Sequence, residues 1–260
     1  MQIYLVNLDR RKDRLEAMQA QAADLGLTLQ RIPALDAGTA DPKSVNRWFA
    51  QKGPLGEIPM GDKACLLSHR RAWERFLASS DAHAVFLEDD VCLSKLSGML
   101  LTSNAWIPYD VNVVKLEHYG PKNQRVLLAD FRKTGKDFRI GRMLSRHTGG
   151  AAYVLSRKSA TILLAERQFE LPVDHLLFNP NNSKLFARLS PWQLVPALAR
   201  QQDFVGDRSD IEKTRVGLRT LSNAYIMREL VRLGYDLRLL PRQILAVLKG
   251  AKFVAVKTAD

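Results

Sequence analysis

Residues 84–91 read Ala-Val-Phe-Leu-Glu-Asp-Asp-Val, and no other stretch restricts the fold as strongly. The four apolar residues read as a buried strand. Three acids follow at its C-terminal end. Adjacent carboxylates repel, so a chain gains little from clustering them unless a cation or substrate offsets the repulsion. In an open α/β sheet, ligands bind beyond the carboxyl ends of the strands. If the extended geometry continues, Glu88 and Asp90 point to one side and Asp89 to the other. Carboxylates placed in this way suit Mg²⁺ or Mn²⁺, ions that commonly also hold substrate phosphates. The competing reading is a solvated acidic turn after a core strand.

The first strand signal is Ile3–Leu8, and a polar burst from Asp9 to Arg14 follows it at once. Leu15, Met18, Ala22 and Leu25 then recur at helical spacing, with Gly26 as a stop. A basic turn next to a helix N-terminus can receive a phosphate, because free backbone N–H groups add to the side-chain charge. Thr28–Ile32 reads as a second strand, and residues 44–52 as a short helix. Asp62 reads as the N-cap of a helix reaching about Ser79, with Cys65, Leu66, Ala72, Trp73, Phe76 and Leu77 as its inward stripe. Ser68 and His69 lie within that helix. His69 is either a satisfied histidine or a contact to a nucleotide or an acceptor hydroxyl.

After the acidic strand, Val111–Glu117 reads as a central strand with Glu117 and His118 at its end. Residues 120–147 are rich in Arg and Lys and fit either a hairpin or a mobile substrate loop. Gly149 and Gly150 precede a small-residue strand, where a backbone or ligand can approach closely. Ser156 suits the cap of the next helix. Asp174, after Pro172, is either a cap for residues 175–178 or a carboxylate facing the site. An edge strand is expected near Trp192–Leu198.

The formal net charge of +12 favours anionic partners such as nucleotides, phosphorylated lipids, anionic membrane surfaces or nucleic acid. Two cysteines, Cys65 and Cys92, make no disulfide framework and suggest a reducing compartment. Charged residues begin at Asp9, so no signal peptide is read, and no stretch is apolar for long enough to span a bilayer. The end of the chain, Leu237–Lys257, is apolar and basic. It suits either a helix on an anionic membrane surface or one packed on its own domain.

Four blocks in order resemble glycosyltransferase family 25, the bacterial lipopolysaccharide and lipooligosaccharide glycosyltransferases. They are IYLVNLDRRKDR (Ile3–Arg14), GDKACLLSHRRAW (Gly61–Trp73), FLEDD with its flanks (Val85–Val91), and Gly149–Asp174 with its Gly-rich strand, serine turn and PVD. The resemblance spans roughly residues 1–210. Two positions depart from it: Asp62-Lys63-Ala64 stands where Glu-Ile-Gly is usual, and Ala37 where Gly is frequent.

The resemblance implies an α/β, GT-A-like nucleotide-binding fold with a mixed, mainly parallel sheet over residues 1–214; residues 215–260, which carry none of the resemblance, read from their own pattern as a helical basic extension. It also implies a nucleotide-sugar donor, commonly UDP-galactose, a lipid-linked sugar acceptor, and inversion at the anomeric carbon. The protein is then expected in the cytoplasm, peripheral to the inner membrane if the basic tail docks there.

On this reading Glu88, Asp89 and Asp90 hold Mn²⁺ or Mg²⁺. Asn7, Asp9, Arg10, Arg11, Arg14, Ser68 and His69 line the donor site. Asp174, then Glu117, takes the acceptor proton. His69 and His147 are candidates for substrate contact or a third metal ligand, and Asp207 or Asp210 for that last role. The alternatives are a metal-dependent phosphotransferase or nucleotidyltransferase, and a non-enzymatic basic nucleic-acid-binding protein. The chain has no Walker-type loop and no recognised nucleic-acid module, and no nucleic-acid partner is expected.

Overall fold

Period-two alternation along the first strands decides how the layers form. In β1 (Gln2–Asn7), Tyr4 and Val6 join one buried cluster while Ile3 and Leu5 join another. The sheet is therefore covered on both faces. The computed structural model describes residues 1–120, 124–202 and 223–259, without the side chains of 223–233 and 236.

Along the chain β1 is followed by α1 (Lys12–Asp24), β2 (Leu29–Pro33), α2 (Pro42–Asn46) and α3 (Met60–Leu77). Next come β3 (His83–Glu88), β4 (Val91–Leu93), α4 (Ser97–Leu101), β5 (Val113–Lys115) and β6 (Glu117–His118). The hairpin strands β7 (Arg125–Lys133) and β8 (Arg139–Met143) precede β9 (Ala152–Ser156), α5 (Arg157–Leu164), α6 (Val173–Phe178) and α7 (Phe186–Leu189). The described chain closes with β10 (Trp192–Val195), β11 (Ala199–Gln201), α8 (Asn223–Leu248) and β12 (Lys252–Ala255).

Among the described residues, nine strands form one sheet in the order β12-β7-β8-β10-β5-β9-β3-β1-β2. Helices α1 and α4 contribute Met18, Ala22, Leu100 and Leu101 to one face, whereas α3, α5 and α6 contribute Leu66, Trp73, Phe76, Leu163 and Leu177 to the other. The mixed α/β sheet is as expected, but its balance is not mainly parallel. The pairs β1–β2, β1–β3 and β5–β10 are parallel, and the other five are antiparallel. The reason is β9, which runs antiparallel between β3 and β5, and the hairpin β7–β8, which extends the sheet beyond β10.

A small second sheet, β4-β11-β6, continues where β3 and β5 leave the large one. Asp89 and Asp90 form the corner between β3 and β4, and Leu116 the step between β5 and β6. The Gln202 N–H donates to the Asp90 carbonyl at 2.7 Å and fixes the corner.

Several local expectations change. Helix α3 starts at Met60 with Pro59 before it, so Asp62 lies in its first turn rather than at the cap. Strand β10 is internal, flanked by β5 and β8. Within the stretch read as a hairpin or substrate loop, β7 and β8 form a hairpin over residues 125–143, and Ser156 caps α5 by accepting from the Ser159 N–H. The extension over 215–260 is not helical throughout. Strand β12 pairs with β7, and Ala259 N–H donates to Ala197 O at 2.8 Å. Helix α8 docks on the same hairpin through Ala246 and through Gln243 Nε2, which donates to Leu144 O at 2.9 Å.

In the core, Tyr4, Phe86 and Tyr153 sit in register across β1, β3 and β9, with ring centroids 5.6 and 5.3 Å apart. Such pairs add about 0.5–1.5 kcal/mol each beyond burial. The row is also structural support for the site, because the Tyr153 hydroxyl reaches into it.

Because β12 covers the β7 edge over buried Leu127 and Ala129, truncation after Lys249 is expected to lower the melting temperature by roughly 5 °C or more. Differential scanning calorimetry checks this; an unchanged transition would show that β12 adds nothing to the sheet.

Candidate functional site

Strands β1, β3 and β5 run in one direction, so Asn7, Glu88 and Lys115 reach the same edge, where the start of β9 meets them. This is the edge at which an α/β sheet offers a site.

The three acids part at the corner, where β3 has ended at Glu88 and the extended geometry does not continue. Asp89 turns to the first strand, accepting from Asn7 Nδ2 at 2.7 Å and from Arg14 Nη1 at 3.2 Å. Glu88 turns to α3, where its Oε1 lies 3.2 Å from His69 Nε2 and 3.9 Å from Cys65 Sγ. Asp90 shares a field with Glu88. Burial first, and then the Glu88 charge, push its carboxyl up to about 8 against the pull of Arg14. Its Oδ1 is buried and has no hydrogen-bond partner among the described residues.

Behind these acids lies a fully buried ion pair. Lys115 Nζ donates to Glu117 Oε2 at 3.1 Å and to the Gly149 carbonyl, and lies 4.6 Å from the centre of the Phe178 ring. Glu117 Oε2 also accepts the Ala151 N–H at 2.9 Å, while its Oε1 is buried with no partner among the described residues. Burial raises the Glu117 carboxyl and lowers the Lys115 ammonium; each partner opposes the other's shift. Gly149 is required here. Its φ is +91°, and a Cβ would stand 2.5 Å from Glu117 Oε1.

Asp174 lies in the first turn of α6, not at its cap, with a side chain 20% exposed. Its backbone packs against Gly150, and its charge acts on both Lys115 and Cys65. Of the two carboxylates proposed as a base, only Asp174 is open to a substrate, since Glu117 is fully buried.

The basic turn divides. Arg14 joins the acids, Arg10 pairs with Asp36 at 2.7 Å, and Arg11 pairs with Asp13 at 2.8 Å. Asp9 pairs with Arg31, whose Nε also donates to Asn7 Oδ1 at 2.9 Å. Ser68 is buried. Its hydroxyl accepts the Leu35 N–H and donates to Ala64 O, which ties the 34–40 loop to α3. His69 is fully buried, with Nδ1 2.8 Å from the Tyr153 hydroxyl, which also accepts from Trp73 Nε1 at 2.9 Å.

His147 lies between Gln193 Oε1 and the Tyr119 carbonyl, and burial lowers it to about 3, so it is neutral. Asp207 and Asp210 fall outside the described residues.

Sequence reasoning missed Lys115, Arg31 and the Tyr153–Trp73 pair. Lys115 was detectable: a lysine within an apolar central strand needs a buried acid, and Glu117 stands two residues on, on the same face.

The fold and this edge define a mixed α/β protein with a polar site beyond the carboxyl ends of its parallel strands. The chain belongs to glycosyltransferase family 25: the family model described as glycosyltransferase family 25 (LPS biosynthesis protein) matches residues 1–177. A glycosyltransferase 25 family member of Anopheles gambiae is 26% identical over 84% of this chain and 39% of its own length. The lacto-N-neotetraose biosynthesis glycosyltransferase LgtB of Neisseria gonorrhoeae is 31% identical over 78% of this chain and 75% of its own. The lipooligosaccharide biosynthesis protein lic2B of Haemophilus influenzae is 23% identical over 76% of this chain and 75% of its own. The chain thus spans about two fifths of the mosquito relative and three quarters of the two bacterial ones.

Removing one member of a buried pair leaves an uncompensated charge. Lys115→Met is therefore expected to cost about 3–5 kcal/mol in urea unfolding at pH 7, and Lys115→Met/Glu117→Leu to recover at least half of it. A single-variant loss under about 1 kcal/mol would contradict the pairing.

Proposed function

We propose that the protein is a GT-A-like glycosyltransferase that moves a hexose, galactose in the first instance, from a UDP-sugar to a lipopolysaccharide or lipooligosaccharide core, with inversion. The observation that supports it best is the Asn7–Asp89–Arg14 tie. It brings the basic turn after β1 and the acids after β3 to one place, as a diphosphate bound with a cation requires. The names of the bacterial relatives supply the acceptor class.

The residues present fit a divalent cation. Glu88 and Asp90 offer hard oxygens. Asp90 has a buried oxygen without a hydrogen-bond partner among the described residues and a carboxyl pushed up to about 8. A cation would answer both. Asp89 braces the corner through Asn7 and Arg14. Mn²⁺ or Mg²⁺, when bound, supplies positive charge against the leaving diphosphate.

The chain's own residues do the rest. Arg14, in the first turn of α1, faces the diphosphate side, and Arg10 and Arg11 precede it on the turn after β1. Asp174 accepts the proton of the acceptor hydroxyl as that oxygen bonds to the anomeric carbon. The anomeric C–O bond to the diphosphate breaks on the opposite face, and inversion results. Lys115 and Glu117 hold the floor of the site.

The apolar, basic end of the chain suits an anionic membrane surface. Leu237, Leu240, Ile244 and Leu248 recur at helical spacing and are 56%, 46%, 52% and 79% exposed. Arg238, Arg242 and Lys249 lie beside them, while Gln243 and Ala246 face the hairpin. Among the described residues no helix is long and apolar enough to cross a membrane. A surface-bound enzyme is therefore the form proposed.

Supplying the protein with UDP-galactose, Mn²⁺ and truncated lipooligosaccharide is expected to add one hexose, read by mass spectrometry. Asp174→Asn should lower kcat by about 10²–10⁴-fold, and Glu88→Gln/Asp90→Asn should abolish transfer while the fold is kept. Full turnover in the double variant would refute the cation role.

A cation needs Asp90 ionised, and its carboxyl is held near 8. Apparent Mn²⁺ affinity is therefore expected to rise about tenfold per pH unit up to that pH and then level off. Calorimetry across pH 6–9 tests this; a flat profile would count against Asp90 as a ligand.

Leu240→Ser/Ile244→Ser/Leu248→Ser leaves the charge unchanged and is expected to reduce co-sedimentation with anionic vesicles at least several-fold. Equal binding would assign the helix to packing alone.

A further inference from the structure

Cys65 and His69 stand four residues apart on α3, so both side chains leave one face of the helix. That face meets Glu88 at the end of β3. His69 Nε2 lies 3.2 Å and Cys65 Sγ 3.9 Å from Glu88 Oε1, and the three ligand atoms lie within 4.8 Å of one another. Bonds of about 2.0–2.3 Å in a tetrahedral zinc site place neighbouring ligand atoms roughly 3.4–3.8 Å apart. Two of the separations are thus near that range before any adjustment.

The His69 ring is also held from behind. The other ring nitrogen of His69 is 2.8 Å from the Tyr153 hydroxyl, which Trp73 Nε1 holds at 2.9 Å. A metal-binding histidine commonly donates its second N–H to such a partner, which fixes the ring. His69 is fully buried, whereas the Glu88 side chain is 22% exposed, so a cation enters past Glu88.

We infer that Cys65, His69 and Glu88 form a second cation site, of sulfur, nitrogen and oxygen donors, for a borderline-soft ion such as Zn²⁺. Its composition differs from the oxygen set of Glu88 and Asp90. Thiolate and imidazole select Zn²⁺, whereas carboxylates suit Mn²⁺ and Mg²⁺. Binding displaces the Cys65 thiol proton to solvent and leaves one coordination position open. Both sets draw on Glu88, so a bound Zn²⁺ withdraws that carboxylate from the donor-side cation and blocks transfer. The site itself stands apart from the sugar-transfer reading; only the blocking effect rests on it.

Cobalt is the probe. Metal-free full-length protein titrated anaerobically with Co²⁺ is expected to develop a thiolate-to-cobalt charge-transfer band that saturates at one ion per chain and is erased by Zn²⁺. The chain has only Cys65 and Cys92. The band should persist in Cys92→Ser and vanish in Cys65→Ser, with melting temperature and circular dichroism kept. Cys65→Ala serves as a second variant if serine perturbs the fold. His69→Gln and Glu88→Gln should each weaken Co²⁺ binding about tenfold or more.

No band in folded wild type, or a band that survives in Cys65→Ser, overturns the site. Unchanged Co²⁺ affinity in Glu88→Gln overturns the sharing. Loss of Mn²⁺-dependent UDP binding on adding Zn²⁺, restored in Cys65→Ser, carries the competition. A cobalt band in a protein that never responds to Mn²⁺ and UDP supports the site and counts against the transferase reading instead.

Discussion

Carboxylates drawn out of water at one corner of the sheet set the terms for everything near them. Glu88, Asp90 and Glu117 act on one another through a poorly solvated region, and burial raises both Asp90 and Glu117. Lys115 offsets Glu117 at 3.1 Å, and Arg14 partly offsets Asp90. The arrangement persists because surrounding structure over-determines it. The Asp89 tie to Asn7 and Arg14 braces the β3–β4 corner on one side. The Gly149–Ala151 backbone and the Lys115 ammonium clamp Glu117 on the other.

That corner follows directly from the topology. Strands β3 and β5 both leave the large sheet and enter the small one within a residue or two. An acid at such a break is at once near the core and near the outer edge. The aromatic row Tyr4–Phe86–Tyr153 continues core packing up to the break, and the Tyr153 hydroxyl passes it on to His69 and hence to Glu88. Packing, hydrogen bonding and the disposition of charge are therefore one connected system rather than a site placed on a neutral scaffold.

Much of this was legible from the residues. The apolar runs before Asn7 and Glu88 announced β1 and β3, the acids after Glu88 marked the edge where the polar site lies, and Ser156 announced α5. Other features were not, for physical reasons. Apolar runs do not encode strand direction, so β9 and the hairpin turned a sheet expected to be mainly parallel into a mostly antiparallel one. Trp192–Val195 carries a following proline that reads as an edge signal, yet its ladder partners lie on both sides. A four-residue strand after a long helix, β12, has too little local signal to be told from the helix's own tail. Lys115 is passed over when charge in a strand is read as exposed; Glu117, two residues on, is the one sequence signal that it is buried and paired.

The central claim is that these desolvated oxygens receive a cation together with a nucleotide diphosphate. Thermal shift with UDP and Mn²⁺, separately and together, tests it most directly. The account predicts that the two ligands stabilise the protein by more than the sum of their separate effects, and that Glu88→Gln/Asp90→Asn removes the excess. Purely additive shifts, or a UDP effect that is the same with and without Mn²⁺, would contradict it.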